Sequence, residues 1–275
     1  MTALARVGGS DIPAATRTSD ARLLGRWIAA RVRMTLRSPR ALGFTFAFPL
    51  VLVTLFGAIN EGVRVTLAGH DVSFTQYYTP AIGIFGLTTA CYTSLVVGLA
   101  TARETGLLKR VRGTPLPVAV YLGSWSAGTM LTGLASVLLL FVVAIPAFGV
   151  KVPLASLPAA VVTAALGASC LAALGLAAGS LVRTSEQAMP LAQLTFLPIS
   201  FICGIWFPLD GAPGWVTTTA DIFPLKHIVD AFTGCFLAGT PSAGFAWGDL
   251  AVIAAWGLGG LIVATRRLRR EATAG

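Results

Sequence analysis

The chain has 275 residues, of which 55% are hydrophobic and only 11% charged, and its mean hydropathy is +0.80. An ordinary soluble domain carries about 25% charged residues, so the composition excludes a soluble globular protein and points to a polytopic membrane protein. The net charge of +9 would suggest nucleic acid in a soluble chain, but here the placement of the cations decides what they mean. The four cysteines (Cys91, Cys170, Cys203, Cys235) lack metal or redox spacing and His70 and His227 stand far apart, so no metal centre is expected.

Residues 1–20 are polar, lack the apolar core of a signal peptide, and read as a disordered cytoplasmic tail. Over 21–40 the residues sort by helical angle: Arg22, Arg26, Arg33 and Arg37 share one narrow stripe, and Leu24, Trp27, Ile28, Val32, Met34 and Leu36 occupy the remaining arc, where Arg31 is the one exception and can snorkel. Such an amphipathic helix lies in the headgroup plane with its arginines toward phosphate and water.

A hydrocarbon core of about 30 Å needs roughly 20 apolar residues per helix, and six runs supply them. The first is 41–60, followed by a short mixed loop at 61–71. The second lies within 72–102, with Tyr77 and Tyr78 expected as interfacial anchors. The third and fourth lie within 117–148 and 154–182. The fourth is rich in small residues, with Ala165, Ser169, Ala173 and Ala177 at four-residue spacing beside Gly175-x-x-x-Gly179, a face that lets backbones approach closely and is expected to serve packing within the chain, with a subunit interface as the alternative. The fifth, 187–209, is broken by Pro190 and Pro198, and the last is 247–265. Residues 207–235 hold Asp210, Asp221, Lys226, His227 and Asp230, too many ionisable groups for a crossing, and are expected at the outer surface or as a re-entrant hairpin. The expected fold is an all-α integral membrane protein: an N-terminal interfacial helix, six transmembrane helices over 41–265, an outer re-entrant helical hairpin between spans five and six, and a cytoplasmic tail at 266–275.

Seventeen cations fall in segments on one side of this plan and three (Arg64, Lys151, Lys226) on the other, which puts both termini in the cytoplasm. The basic balance is then a matter of topology, with no nucleic-acid partner. Between spans two and three stands a charged island, Arg103-Glu104-Thr105-Gly106-Leu107-Leu108-Lys109-Arg110-Val111-Arg112-Gly113-Thr114-Pro115, whose charges end at Arg112; the 31 residues before Arg103 and the 38 after Arg112 hold no Asp, Glu, Lys or Arg. Leu107 and Leu108 offer an apolar knob among orienting charges.

No span holds an ionisable residue near its middle, where ion-coupled transporters usually carry one. No H-E-x-x-H or G-x-S-x-G run occurs, and none of Lys109, Lys151 and Lys226 sits in a phosphate-cradling loop. The chain is therefore not expected to be an enzyme, and any ATP that drives it is hydrolysed by another chain. A secondary transporter or channel is the alternative, distinguished by ATP dependence; a scaffold without transport leaves the proline-broken fifth span unexplained.

The island resembles the R-E-x-G-x-x-x-x-x-x-x-T-P segment of the ABC-2 type permease family, the membrane halves of bacterial drug, antibiotic and polysaccharide exporters. The run Phe201-Ile202-Cys203-Gly204-Ile205-Trp206-Phe207-Pro208-Leu209, followed by Pro213-Gly214-Trp215 and Phe223-Pro224-Leu225, is similar to that family's fifth span and outer re-entrant helices. Cys203 stands where a serine is common, and Lys226-His227 replaces a neutral-aromatic pair. The resemblance implies a multi-pass permease of a bacterial inner membrane, surrounded by lipid and paired with a second permease copy as a homodimer or paralogous heterodimer. It implies a cytoplasmic ABC ATPase that docks on a coupling helix at about 103–114, through Arg103, Glu104, Thr105, Gly106, Leu107, Leu108, Lys109 and Arg110. ATP and Mg would sit on that partner, with no cofactor on this chain. The aromatics Phe85, Tyr92, Phe196, Phe201 and Trp206 suit a translocation path for an amphipathic drug, antibiotic or lipid-like substrate.

Overall fold

The computed structural model describes residues 25–26, 28–30, 32–34, 37–38, 43–67, 70–107, 110, 118–237 and 244–273. The expected tail at 1–20 lies outside them, as do Arg22, Leu108 and Lys109. Within 25–34 the described residues are helical, with Arg26 and Arg33 exposed and Ile28 and Val32 half-buried.

In lipid a backbone must satisfy its own hydrogen bonds, so the long uncharged runs are helices. Four are long and apolar enough to cross a membrane: Phe74–Glu104, Val120–Phe148, Leu154–Gly179 and Trp247–Leu268. They match the second, third, fourth and sixth expected spans. The first expected span is a shorter apolar helix, Thr45–Ile59, built from a π turn at Gly43–Ala47 and α1 (Phe48–Ile59). The stretch Phe74–Glu104 consists of α2 (Phe74–Thr88), a π turn at Thr89–Thr93 and α3 (Ser94–Glu104). After the island come α4 (Val118–Phe148) and α5 (Leu157–Gly179). The fifth expected span is α6 (Ser185–Ile202), of 18 residues, whose Glu186, Gln187, Gln193 and Thr195 make it less apolar than the other four. Two short helices follow, α7 (Gly214–Ala220) and α8 (Pro224–Gly234), of 7 and 11 residues, each too short to span about 30 Å. The last is α9 (Trp247–Thr273).

The small residues of α5 explain why it can sit at the centre. A Cβ added at Gly175 would lie 2.8 Å from the Tyr92 carbonyl oxygen, and one at Gly179 would lie 3.1 Å from the Val96 Cα. On the other side, a Cβ added at Gly257 or Gly260 of α9 would come within 3.3 Å of Cys170 Cα and 3.1 Å of the Ala173 carbonyl carbon. The small-residue face is therefore used for packing within the chain, on both sides of α5.

Two expectations are corrected. The loop at 61–71 is largely a β-hairpin, β1 (Arg64–Leu67) against β2 (His70–Ser73), antiparallel with Arg64 opposite Ser73 and Val65 opposite Val72. Arg64 donates to the Asp71 carboxylate across it, and the Ser73 hydroxyl accepts from Gln76 N–H to cap α2. Tyr77 and Tyr78 are not interfacial anchors: both are buried, Tyr77 donates its hydroxyl to the Gly204 carbonyl, and Tyr78 packs on Phe56 and Phe74. Their neighbour Gln76 ties three segments together. Its amide donates to the Lys151 carbonyl (2.8 Å) and the Phe236 carbonyl (2.9 Å), and its oxygen accepts from Lys151 N–H (2.8 Å).

Candidate functional site

At the end of the molecule where α3 finishes, the island begins with a break. Thr105 N–H and Oγ1 both donate back to the Thr101 carbonyl, and Gly106 then turns the chain with φ +67°, a conformation glycine adopts without strain. Helical bonding resumes at once, since Arg110 N–H donates to the Gly106 carbonyl at 3.1 Å. Leu107 emerges just past the turn and is 39% exposed, and Arg110 is exposed beside it.

Arg103 and Glu104, expected to face a partner, are both engaged within the chain. Arg103 Nη1 donates to the Gly179 carbonyl (2.8 Å) and the Val182 carbonyl (2.7 Å), at the C-terminus of α5. The Glu104 carboxylate accepts from Ser185 N–H (3.1 Å) and from the Ser185 hydroxyl, at the N-terminus of α6. Thr184, the residue preceding α6, makes no side-chain cap, so the acceptor comes from a different helix. A cation at a helix C-terminus and an anion at an N-terminus each suit the local backbone dipole.

Above this pair α3 and α6 share an apolar seam of Val96, Ala100, Val182, Ala188 and Ala192. It leads to the π turn, where Ser94 N–H reaches back five residues to the Thr89 carbonyl and the Tyr92 hydroxyl meets Thr195 Oγ1 at 2.7 Å. Beyond Tyr92 the remaining candidate aromatics come together. Phe85 packs on Phe196 (centroids 5.3 Å) and edge-on to Trp206 (5.4 Å), and Trp206 stacks on Phe201 (5.4 Å). Phe48 of α1 joins Phe85 at 5.9 Å, and Trp206 Nε1 donates to Ser200 Oγ at 3.0 Å. Phe85 and Phe196 are buried whereas Phe201 is 51% exposed, so the cluster opens on one side.

The opposite end carries an ionic network under α7 and α8. Lys226 Nζ pairs with Asp230 (2.7 Å) and Asp221 (3.0 Å); burial disfavours its charge, but the two carboxylates outweigh this and raise its pKa. His227 meets the Asp249 carboxylate through Nδ1 (2.7 Å) and the Asp221 carbonyl through Nε2 (3.0 Å). Both partners only accept, so the imidazolium alone can satisfy both. Burial again opposes the charge, and the bonds to Asp249 and Asp221 outweigh it and raise the pKa from 6.5. A cavity of about 480 Å³ adjoins the network, lined by Tyr77, Leu209, Asp210, Lys226, Val229 and Asp230 among others.

The family model described as ABC-2 family transporter protein matches residues 63–266, from the β-hairpin to the last helix. The chain belongs to the ABC-2 transporter family. No curated protein matches it significantly. Membership makes it a multi-pass membrane subunit of the kind that associates with an ABC ATPase. In this ABC-2 chain the residues that sequence reasoning missed are the tertiary partners: Ser185 for Glu104, Thr195 for Tyr92, and Gln76 as a hub. The only local signal was polarity, since Gln76 and Thr195 are polar side chains inside apolar runs.

Proposed function

We propose that the chain is the permease subunit of an ATP-driven ABC exporter for an amphipathic drug, antibiotic or lipid-like substrate. In this reading α1 and α6 complete a six-crossing bundle, α7 and α8 form the outer re-entrant hairpin, and both termini lie in the cytoplasm of a bacterium. The permease works with a second permease copy and with a separate ATPase, which binds ATP and Mg. The observation that carries the reading is the island: a turn rich in cations, broken by Gly106, that presents Leu107 outward while its root is fastened to the α5–α6 turn. The alternating helix directions support the crossings, because Glu104 meets Ser185 at one end while Tyr77 meets Gly204 at the other. The aromatic cluster, with its open side at Phe201, supports an amphipathic cargo.

Tagged permease purified from its own membranes tests the assembly. Wild type brings down an ATPase subunit, and Leu107→Asp, which puts charge into an apolar contact, weakens association by about 2 kcal/mol or more, abolishing copurification and ATP-dependent efflux. Normal copurification and efflux with Leu107→Asp at wild-type expression would refute the docking role. Transport by the permease alone without ATP would favour a secondary transporter.

A further inference from the structure

We propose that Arg103 and Glu104 are positioning residues that fasten the island to the N-terminus of α6, so that movement of the island is delivered to the helix carrying Phe196 and Phe201. The inference rests on the exporter reading for its functional half. Its structural half stands on the geometry alone.

Two consecutive side chains bridge both ends of one turn. Arg103 supplies donors to two carbonyls where α5 ends, and Glu104 supplies the acceptor where α6 begins. Without Glu104, the first turn of α6 has no side-chain acceptor for Ser185 N–H, because Thr184 does not cap it. Without Arg103, the carbonyls of Gly179 and Val182 lose a shared cation. The contact is more than a local cap, because it continues along both helices. Ala100 and Val96 face Ala188 and Ala192 in the seam, Tyr92 bonds Thr195, and Phe85 packs on Phe196. From Glu104 to Phe85, the island's helix and α6 are thus joined by polar contacts with small apolar residues between them. Small residues allow little slack, so a shift of α3 carries α6 with it. The turn after Glu104 is a glycine, which leaves the exposed Leu107 face free to engage a partner while its root stays bound.

Hydrogen exchange on the purified full-length chain, without any ATPase, reads the fastening directly. In Glu104→Ala the amides of Ser185 and the next residues of α6 should exchange roughly five- to tenfold faster, the scale of a lost helix cap. Glu104→Gln keeps an acceptor oxygen and should remain near wild type. In cells, Glu104→Ala should still copurify with the ATPase and hydrolyse ATP but export poorly, and Glu104→Gln should restore export. Unchanged exchange in Glu104→Ala overturns the proposal. So does faster exchange with normal export, which would make Glu104 a cap only. Loss of the ATPase in Glu104→Gln also overturns it, by making the carboxylate a docking contact. A wild-type chain that brings down no ATPase refutes the exporter reading instead, and the exchange arm still judges the fastening.

Discussion

Replacing Gly175 by alanine tests the packing that sets α5 against the π turn. The added methyl would sit 2.8 Å from the Tyr92 carbonyl oxygen and 3.1 Å from the Cys91 carbonyl oxygen and the Tyr92 Cα. These are backbone atoms, which cannot rotate away, so the helices must part by several tenths of an ångström. Overpacking of this kind costs about 1–3 kcal/mol, against about 0.5–1 kcal/mol returned because alanine is the better helix residue. The net is a loss of roughly 0–2.5 kcal/mol, centred near 1. Gly123 in α4 is the control, because nothing lies within 4 Å of a Cβ built there, and Gly123→Ala should stabilise by about 0.5–1 kcal/mol. Thermal unfolding of the purified chain, followed by tryptophan fluorescence, should place Gly175→Ala a few degrees below wild type and Gly123→Ala at or above it. If the two variants melt alike, α5 and the π turn are not in backbone contact and the central packing described here is wrong.

Gln76→Leu removes the partner of two carbonyls and one N–H and should lower stability by about 1–3 kcal/mol in the same melt, and Gln76→Glu should be no milder, because a carboxylate keeps only the acceptor and sets a buried charge against the two carbonyls. The His227 link should weaken with alkali: its pKa is raised above 6.5 in the folded chain, so its stabilisation is complete below about 6.5 and is lost as pH rises through the higher folded value. A pH series of melting temperatures should therefore fall across that window in wild type and flatten there in His227→Gln. For topology, Ala212→Cys should react with a membrane-impermeant maleimide in intact cells whereas Leu107→Cys should react only after permeabilisation.

Much of the helical plan was legible because a bilayer is a one-dimensional filter. The uncharged run at 72–102 became Phe74–Glu104 and the run at 117–148 became α4, with Pro80 and Pro146 held inside these helices. The aromatic candidates converge because bulky apolar residues on segments packed side by side fill the same interior. The hairpin was hidden by its shortness, four residues per strand with no long alternation. Glu104 stood out in the sequence as the acid of the charged island, but its contacts did not, since Ser185 lies 81 residues away. Gln76 is likewise defined by partners 75 and 160 residues distant. Nothing in local spacing encodes such a meeting.

All four thiols of the chain, Cys91, Cys170, Cys203 and Cys235, are buried and unpaired. Reagents that need a water-exposed thiolate have little to attack in the folded protein. The wild-type chain is thus its own quiet background for site-directed labelling, and Cys203, at the C-terminus of α6, need not be replaced to clear the way. A single introduced cysteine can report accessibility or distance while the helix contacts around Gly175 and the aromatic cluster keep their natural residues.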